Sequence, residues 1–457
     1  MTELFVTKIL PYISLLGLGL SAIYAGAITS LHRFQKKLVI LGEKDIELSE
    51  SETDDDEDDE QEEQEYPIEE TMGKKQASKY PLIAGSFLVG IFFALKVFGK
   101  RIVNLLFQIY FSFVGILTIV ETFSPIFQKL MGKKLNNRVK YKLNLKFPWK
   151  IPYLVDEPIE IKETIRLAEI ASLLVAVLIH IWYFTTESWI ANNILGWLFS
   201  YKGIYSLSLE SFQTGGILLW GLFFYDIFFV FYTPVMVGVA KQLKGPIKFM
   251  FPRNIFAEKL EFSMLGLGDI ALPGIFIALI IKFDYENAKN NLKKNETIKK
   301  DNFLKPYFRN TFAGYLVGCV ATVVVMLIFK AAQPALLYLV PGCFISSLLT
   351  AYFKGEFSKF FHYETLATKL EKKKKEEKEK EEEKEKENEK EKEKKKKMEK
   401  KEENEEKKEK EEEEKEKEEE EKEEIIVKDD DQEEEEEEEE EIIVKDENKK
   451  KSEEETD

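Results

Sequence analysis

Runs of apolar residues alternate with short polar stretches along roughly the first 360 positions of the chain. Nine runs approach the ~20 residues of helix that cover a hydrocarbon core. They are 9–31, 80–98, 103–123, 167–185, 189–200, 213–234, 263–281, 310–329 and 333–353, the fifth being the shortest. Lipid leaves bare backbone groups unsatisfied, whereas a helix satisfies its own. The pattern therefore predicts an all-α polytopic membrane protein with nine transmembrane helices. The first run is too long for the core of a cleavable leader and is followed by the basic "HRFQKKL", so it reads as a retained anchor.

The polar residues outside the bundle gather in two blocks. Residues 49–65, "SESETDDDEDDEQEEQE", are acidic, and from about Glu371 the chain is mostly Lys and Glu, with "EEIIVKD" at 423–429 and again at 440–446. The chain thus divides into three regions: 1–79, an anchor helix and acidic loop; 80–362, a helical membrane core; and 363–457, a low-complexity tail. The net charge of −17 and mean hydropathy of −0.26 average over unlike parts and describe neither. Without apolar faces the tail forms no core; it is expected to be disordered or, where opposite charges fall at helical spacing, a lone solvated helix. Its readings are a solubilising spacer or a docking segment at the Ile-Ile-Val patches. So acidic a segment excludes nucleic acid as a partner.

Basic loops tend to stay cytosolic. Loops 32–44, 124–166 and 282–309 are rich in Lys and Arg and, with nine spans, fall on one side together with the tail. The N-terminus is then lumenal or exterior. Loop 235–262, with Lys241, Lys244, Lys248, Arg253 and Lys259, opposes this arrangement. Cys319 and Cys343 lie inside spans and indicate neither a structural disulfide nor a metal site. Small-residue pairs at four-residue spacing, Ala22/Gly26 and Gly314/Gly318, suit helix contacts within the bundle or between subunits.

Ionisable groups deep in a span are costly and are functional candidates by default. Glu121 and Glu169 sit near helix ends, where an acid reaches water, and His180 reads as a hydrogen-bonded bundle residue. Two acids remain. Asp226 lies in "GLFFYDIFFVF" (221–231), 13 residues inside a span entered at Gln213; Asp269 lies in "MLGLGDIALPGIF", 13 residues before Lys282. At a rise of ~1.5 Å per residue both carboxyls lie roughly 20 Å from one face, so adjacent antiparallel helices bring them level. Carboxyls that close cannot both ionise cheaply, and one keeps a proton. An aspartic protease needs this arrangement; so does a proton or cation relay in a transporter, and both readings stand on the spacing. Gly266 and Gly268 allow close backbone approach, and Pro334 in "QPALLYLVP" either starts the ninth helix or frees backbone groups. Loosened backbone is tolerated in a bundle where it is buried or lines a wet cavity. With three His in the chain and no His-Glu-x-x-His, zinc hydrolysis has no ligand set. No Gly-x-Ser-x-Gly accompanies His180 to make a serine hydrolase.

"YD" at 225–226, "GLGD" at 266–269 and "QPAL" at 333–336 resemble the three signatures of the GxGD intramembrane aspartyl proteases. "WIANNILG" (189–196) and the longer stretches around those motifs are similar to the signal peptide peptidase branch, over roughly residues 80–362. The short interval 235–262 is unlike the long loop of the related presenilins, and eight residues before the first span leave no room for the lumenal domain of some relatives.

The resemblance implies a presenilin-like bundle in which Asp226 and Asp269 are the catalytic pair. Tyr225, Gly266, Leu267 and Gly268 would shape the site, and Gln333, Pro334, Ala335 and Leu336 would line it. It implies no metal or organic cofactor. The implied enzyme resides in the endoplasmic reticulum membrane and cuts remnant signal peptides and type II-oriented segments, with a homo-oligomer left open. The rivals are a transporter built on the same acids and a non-proteolytic escort of membrane proteins. The chain ends "KKSEEETD" without a terminal dilysine, and its one glycosylation sequon, Asn295-Glu296-Thr297, falls in a loop expected to be cytosolic.

Overall fold

The computed structural model describes residues 9–41, 70–136, 140–147, 159–254, 260–291, 303–329, 333–398 and 407. The acidic block, Asn295 and the "EEIIVKD" repeats lie outside them. Two units are distinguished, Met1–Glu371 and Lys372–Asp457. In the second, residues 372–398 are helical and every one is exposed.

In the first unit the long elements are helices, in chain order α1 (Leu10–Ile40), α2 (Lys74–Val97), α3 (Gly99–Asn136), α4 (Leu167–Thr186) and α5 (Trp189–Ser206). They continue as α6 (Phe212–Ile227), the short α7 (Val235–Gln242), α8 (Gly268–Asn290), α9 (Pro306–Phe329), α10 (Leu336–Phe353) and the short α11 (Phe357–Phe361). Each predicted span has a helix. Among the described residues seven are long and apolar enough to cross a membrane; α5 and α8 are not among them. The reason is plain for α8, which carries Asp269, Lys282 and Asp284 within one membrane-length stretch. Fifteen of its residues are buried, and it packs against α1, α5, α6, α9 and α10. A helix walled off from lipid by its neighbours can keep such side chains.

Local chemistry sets several helix ends. Ser211 caps α6 by accepting from the Thr214 N–H at 3.2 Å. Glu169 closes the first turn of α4 by accepting from the Arg166 N–H at 3.3 Å, a capping role at the helix boundary. Glu121 is tied to Arg33 at 3.0 Å and also pairs with Lys202 and the Tyr205 hydroxyl. His180 bonds the Ala176 carbonyl at 2.8 Å. Both small-residue stripes are consumed inside the bundle: a Cβ at Gly26 would lie 2.8 Å from Ile204, and one at Gly314 would lie 2.3 Å from the Gly342 carbonyl oxygen.

Three departures from the sequence reading matter. First, β-ribbons interrupt the helices: β1 (Glu70–Met72) runs parallel to β4 (Leu207–Leu209). In the loop expected at 124–166, α3 runs on to Asn136, and β2 (Lys140–Phe147) pairs antiparallel with β3 (Ile159–Arg166). A second such pair joins β5 (Lys248–Pro252) to β6 (Phe262–Gly266). Second, residues 263–266, expected to be helical, are the strand β6, and the helix starts only at Gly268. Third, the first unit runs past residue 362, because Tyr363, Thr365, Ala367 and Thr368 are buried. Phe212 at the start of α6 donates its N–H to the Tyr363 carbonyl at 3.0 Å. Glu286 of α8 accepts from the Tyr363 hydroxyl and the Leu366 N–H, each at 2.8 Å. Residues 363–371 are thus a strap holding one end of α6 to one end of α8, fastened further by Lys37–Glu371 at 2.7 Å.

Candidate active site

Asp226 is the penultimate residue of α6, 2% exposed. After it the helix widens into a π-turn, Phe228–Tyr232, before Pro234 ends it. Its carboxylate Oδ2 accepts the main-chain N–H of Leu336, the first residue of α10, at 3.0 Å. That explains the "PAL" turn. Pro334 and Ala335 stand just before the helix, their carbonyls accept from Leu337, Tyr338 and Leu339, and Asp226 satisfies a donor that a helix start leaves orphaned. Pro334 and Leu336 are buried, while Gln333 and Ala335 are half-buried.

Asp269 is the second residue of α8. The chain reaches it along β6 and turns at Gly266–Gly268. A Cβ at Gly266 would lie 3.2 Å from Asp269 Oδ2, so a larger residue there would crowd the carboxyl. A Cβ at Gly268 would make only ordinary contact, with the Leu272 side chain at 4.0 Å. Leu267 donates its N–H to the Ile247 carbonyl at 3.1 Å. The Asp269 carboxyl lies close enough to Asp226 for the two to interact electrostatically. The Tyr225 ring packs against Phe229 (centroids 4.7 Å apart) and against α2 at Gly85.

The sequence reading missed several neighbours. Tyr315 of α9 donates its hydroxyl to the Asp269 main-chain oxygen at 3.2 Å, and nothing marks it among the many aromatic residues of the spans. Asn192 and Asn193 of α5 bond the backbone of β5; polar residues in an otherwise apolar run were the available signal. An apolar groove of about 690 Å³, lined in part by Gly17, Trp189, Asn193, Trp197 and Phe251, opens between α1, α3 and α5. It contains neither aspartate. Among the described residues no cluster of His, Cys, Asp and Glu could hold a metal ion.

Residues 63–367 match the family model described as signal peptide peptidase. Over 298 residues the chain is 41% identical to signal peptide peptidase of Mus musculus and 40% identical to that of Homo sapiens, covering 65% of this chain and 74% of each relative. A probable intramembrane protease of Schizosaccharomyces pombe is 34% identical over 300 residues, 65% of this chain and 85% of its own. A solved presenilin-family intramembrane aspartate protease superposes with a TM-score of 0.39 at 16% identity, covering 74% of this chain and 99% of that one, which is too loose to bear on the site.

Likeness of that extent sets the class: the chain is an intramembrane aspartic protease, a multi-pass membrane protein that hydrolyses peptide bonds. Within the class, it belongs to the signal peptide peptidase family.

Proposed function

We propose that Asp226 and Asp269 are the catalytic pair, and that the enzyme cuts remnant signal peptides and type II-oriented membrane segments in the endoplasmic reticulum membrane. The observation that carries this is that two acids from separate helices, Asp226 buried and Asp269 half-buried, interact electrostatically beside non-helical backbone. The ionised carboxyl takes a proton from water, the water oxygen attacks the scissile carbonyl carbon, and the protonated carboxyl stabilises the developing oxyanion. The roles belong to the pair, which shares one proton. Collapse of the tetrahedral intermediate needs a proton on the departing nitrogen, and the pair can return the one taken from water. Gly266 and Gly268 give the peptide room to approach; Pro334, Ala335 and Leu336 form the facing wall and hold Asp226.

A helical substrate hides its peptide bonds, so it must unwind and find new partners for its backbone. The β5–β6 ribbon supports an extended binding mode. Arg253 donates to Glu261 and Leu267 to Ile247, so Pro252–Phe262, Met250–Met264 and Lys248–Gly266 are the intervening pairs, whose main-chain groups point outward. Among the described residues no third strand covers β6, and Met264 is 54% exposed. A substrate strand added there passes within a few residues of Asp269.

The basic loops support a lumenal N-terminus and cytosolic tail, and sugar found on Asn295 would overturn that orientation. The catalytic reading is tested with purified enzyme and a fluorescent signal-peptide substrate. Asp226→Asn and Asp269→Asn should each abolish cleavage, whereas a relay or an escort would leave no cleavage in the wild type to lose.

A further inference from the structure

The ribbon has two edges, and a bare one in a membrane is costly. On the β5 side both outward groups of Met250 and the outward carbonyl of Lys248 are already taken. Asn193 Nδ2 donates to the Met250 carbonyl at 2.7 Å, and the Met250 N–H donates to Asn193 Oδ1 at 2.8 Å. Asn192 Nδ2 donates to the Lys248 carbonyl at 2.8 Å. One amide side chain thus presents to Met250 the donor and acceptor that a neighbouring strand residue would present. Asn192 is 1% and Asn193 6% exposed. One turn further along α5, a Cβ on Gly196 would lie 3.2 Å from the Phe249 ring and 3.4 Å from Leu267, so the bare glycine lets the ribbon lie flat on this helix.

We infer that Asn193, assisted by Asn192, is a positioning residue for the reaction: it acts as a surrogate strand that seals β5 and leaves β6 as the edge open to substrate. This rests on the reading in which an extended substrate pairs with β6. Sealing has two consequences. Substrate backbone is refused at the edge remote from Asp269, and the ribbon is pinned in register, which fixes the peptide bond that comes to rest over the carboxyl pair. A one-residue slip would turn every side chain to the opposite face and carry a neighbouring bond into place. Two amides in a membrane helix are expensive as mere filling, since an apolar residue would pack there at no polar cost.

The test uses the full-length enzyme reconstituted in vesicles with a peptide substrate, product masses giving the bond cut. Asn193→Leu should lower kcat/KM about tenfold, the order expected for losing one or two net hydrogen bonds, and should spread cleavage onto adjacent bonds. Asn192→Leu, which removes one bond of the three, should give a smaller spread and guards against a misfolded Asn193 variant. Melting temperature is recorded for each. The inference is overturned if either variant cuts the wild-type bond alone with unchanged kcat/KM, or loses activity only in proportion to folded protein with the cut unmoved. Asp226→Asn is run alongside. If it is silent while the Asn193 variants match the wild type, this inference alone fails; if it still cleaves, the catalytic assignment fails.

Discussion

Replacing Asp226 by Asn and by Ala separates two things its carboxylate does. One is chemical: a carboxyl able to exchange a proton with water. The other is architectural, because Oδ2 holds the Leu336 N–H at 3.0 Å at the start of α10. Asn keeps an oxygen that can accept from Leu336 but cannot serve as an acid or base at neutral pH. Ala keeps neither. Both substitutions remove the carboxyl that interacts with Asp269, so any relief from crowding two acids is common to them. The difference between Asn and Ala therefore isolates the cap. Losing a capping acceptor costs about 0.5–2 kcal/mol, and an unmet buried N–H about 1–3 kcal/mol; these count the same bond, so about 1–2 kcal/mol is expected. Cleavage should fall by a factor of ~10³ or more in both variants, within the range of lost acid–base catalysis. Thermal unfolding in detergent should place Ala clearly below Asn. Equal melting of the two variants would refute the cap, and turnover by the Asn variant would refute the acid.

The other expectations concern the frame around the pair. A Cβ at Gly318 would lie 2.7 Å from the Tyr338 carbonyl oxygen, so Gly318→Ala should push α9 from α10 at a cost of about 1–3 kcal/mol, read as a lower melting temperature and reduced turnover. Truncation after Glu371 should leave most cleavage, whereas truncation after Phe361 removes the strap from α6 and α8 and should abolish it; equal activities would refute the strap. Glu121→Leu leaves Arg33 and Lys202 without their shared acid and should lower stability by about 1–3 kcal/mol, while Glu121→Gln, which still accepts hydrogen bonds, should lose less. Glu356 lies outside the spans. Burial works against its charge, but the Tyr307 hydroxyl, the Asn287 amide and the Lys359 and Lys354 charges hold its carboxyl below the ordinary value of 4.5. The stability it lends is present above that pH and lost as pH falls through the lowered value, so Glu356→Gln should flatten the decline in melting temperature below pH 4.5.

The helices were readable because lipid imposes one rule on every span, and long apolar runs obey it. Asp226 and Asp269 were readable for the converse reason: a carboxyl in such a run needs an explanation. What failed was the local shape of the backbone between them. Residues 263–266, "SMLG", are as apolar as a helix would be, and their strand depends on pairing with Lys248–Phe251, which the sequence around them does not announce. Apolar runs of that length are ambiguous between helix and strand. The strap at 363–371 was lost against the charge of the Lys/Glu tail beyond it, since its anchors are single residues, Tyr363 and Leu366, meeting Glu286 some 80 positions away. Asn192 and Asn193 were visible as letters but silent about their partner, because a side chain that bonds backbone leaves no matching letter on the other strand.

A protease inside a bilayer must keep non-helical backbone next to its acids, and each exposed N–H or carbonyl there must be matched. In this chain the matching around the site can be followed group by group. Leu336 donates to Asp226, Met250 is held at both its groups by Asn193, the Lys248 carbonyl is held by Asn192, and the Asp269 carbonyl is held by Tyr315. Also outward are the main-chain groups of β6 at Met264 and Gly266, on the stretch that runs into Asp269. An unwound substrate brings the complementary need, since its own groups lost their partners when its helix opened. With the peptide along β6, as proposed, each deficit answers the other, and that placement would also carry its carbonyl to the acids. Binding and orientation are then one event, and a substrate segment that stays helical fails both.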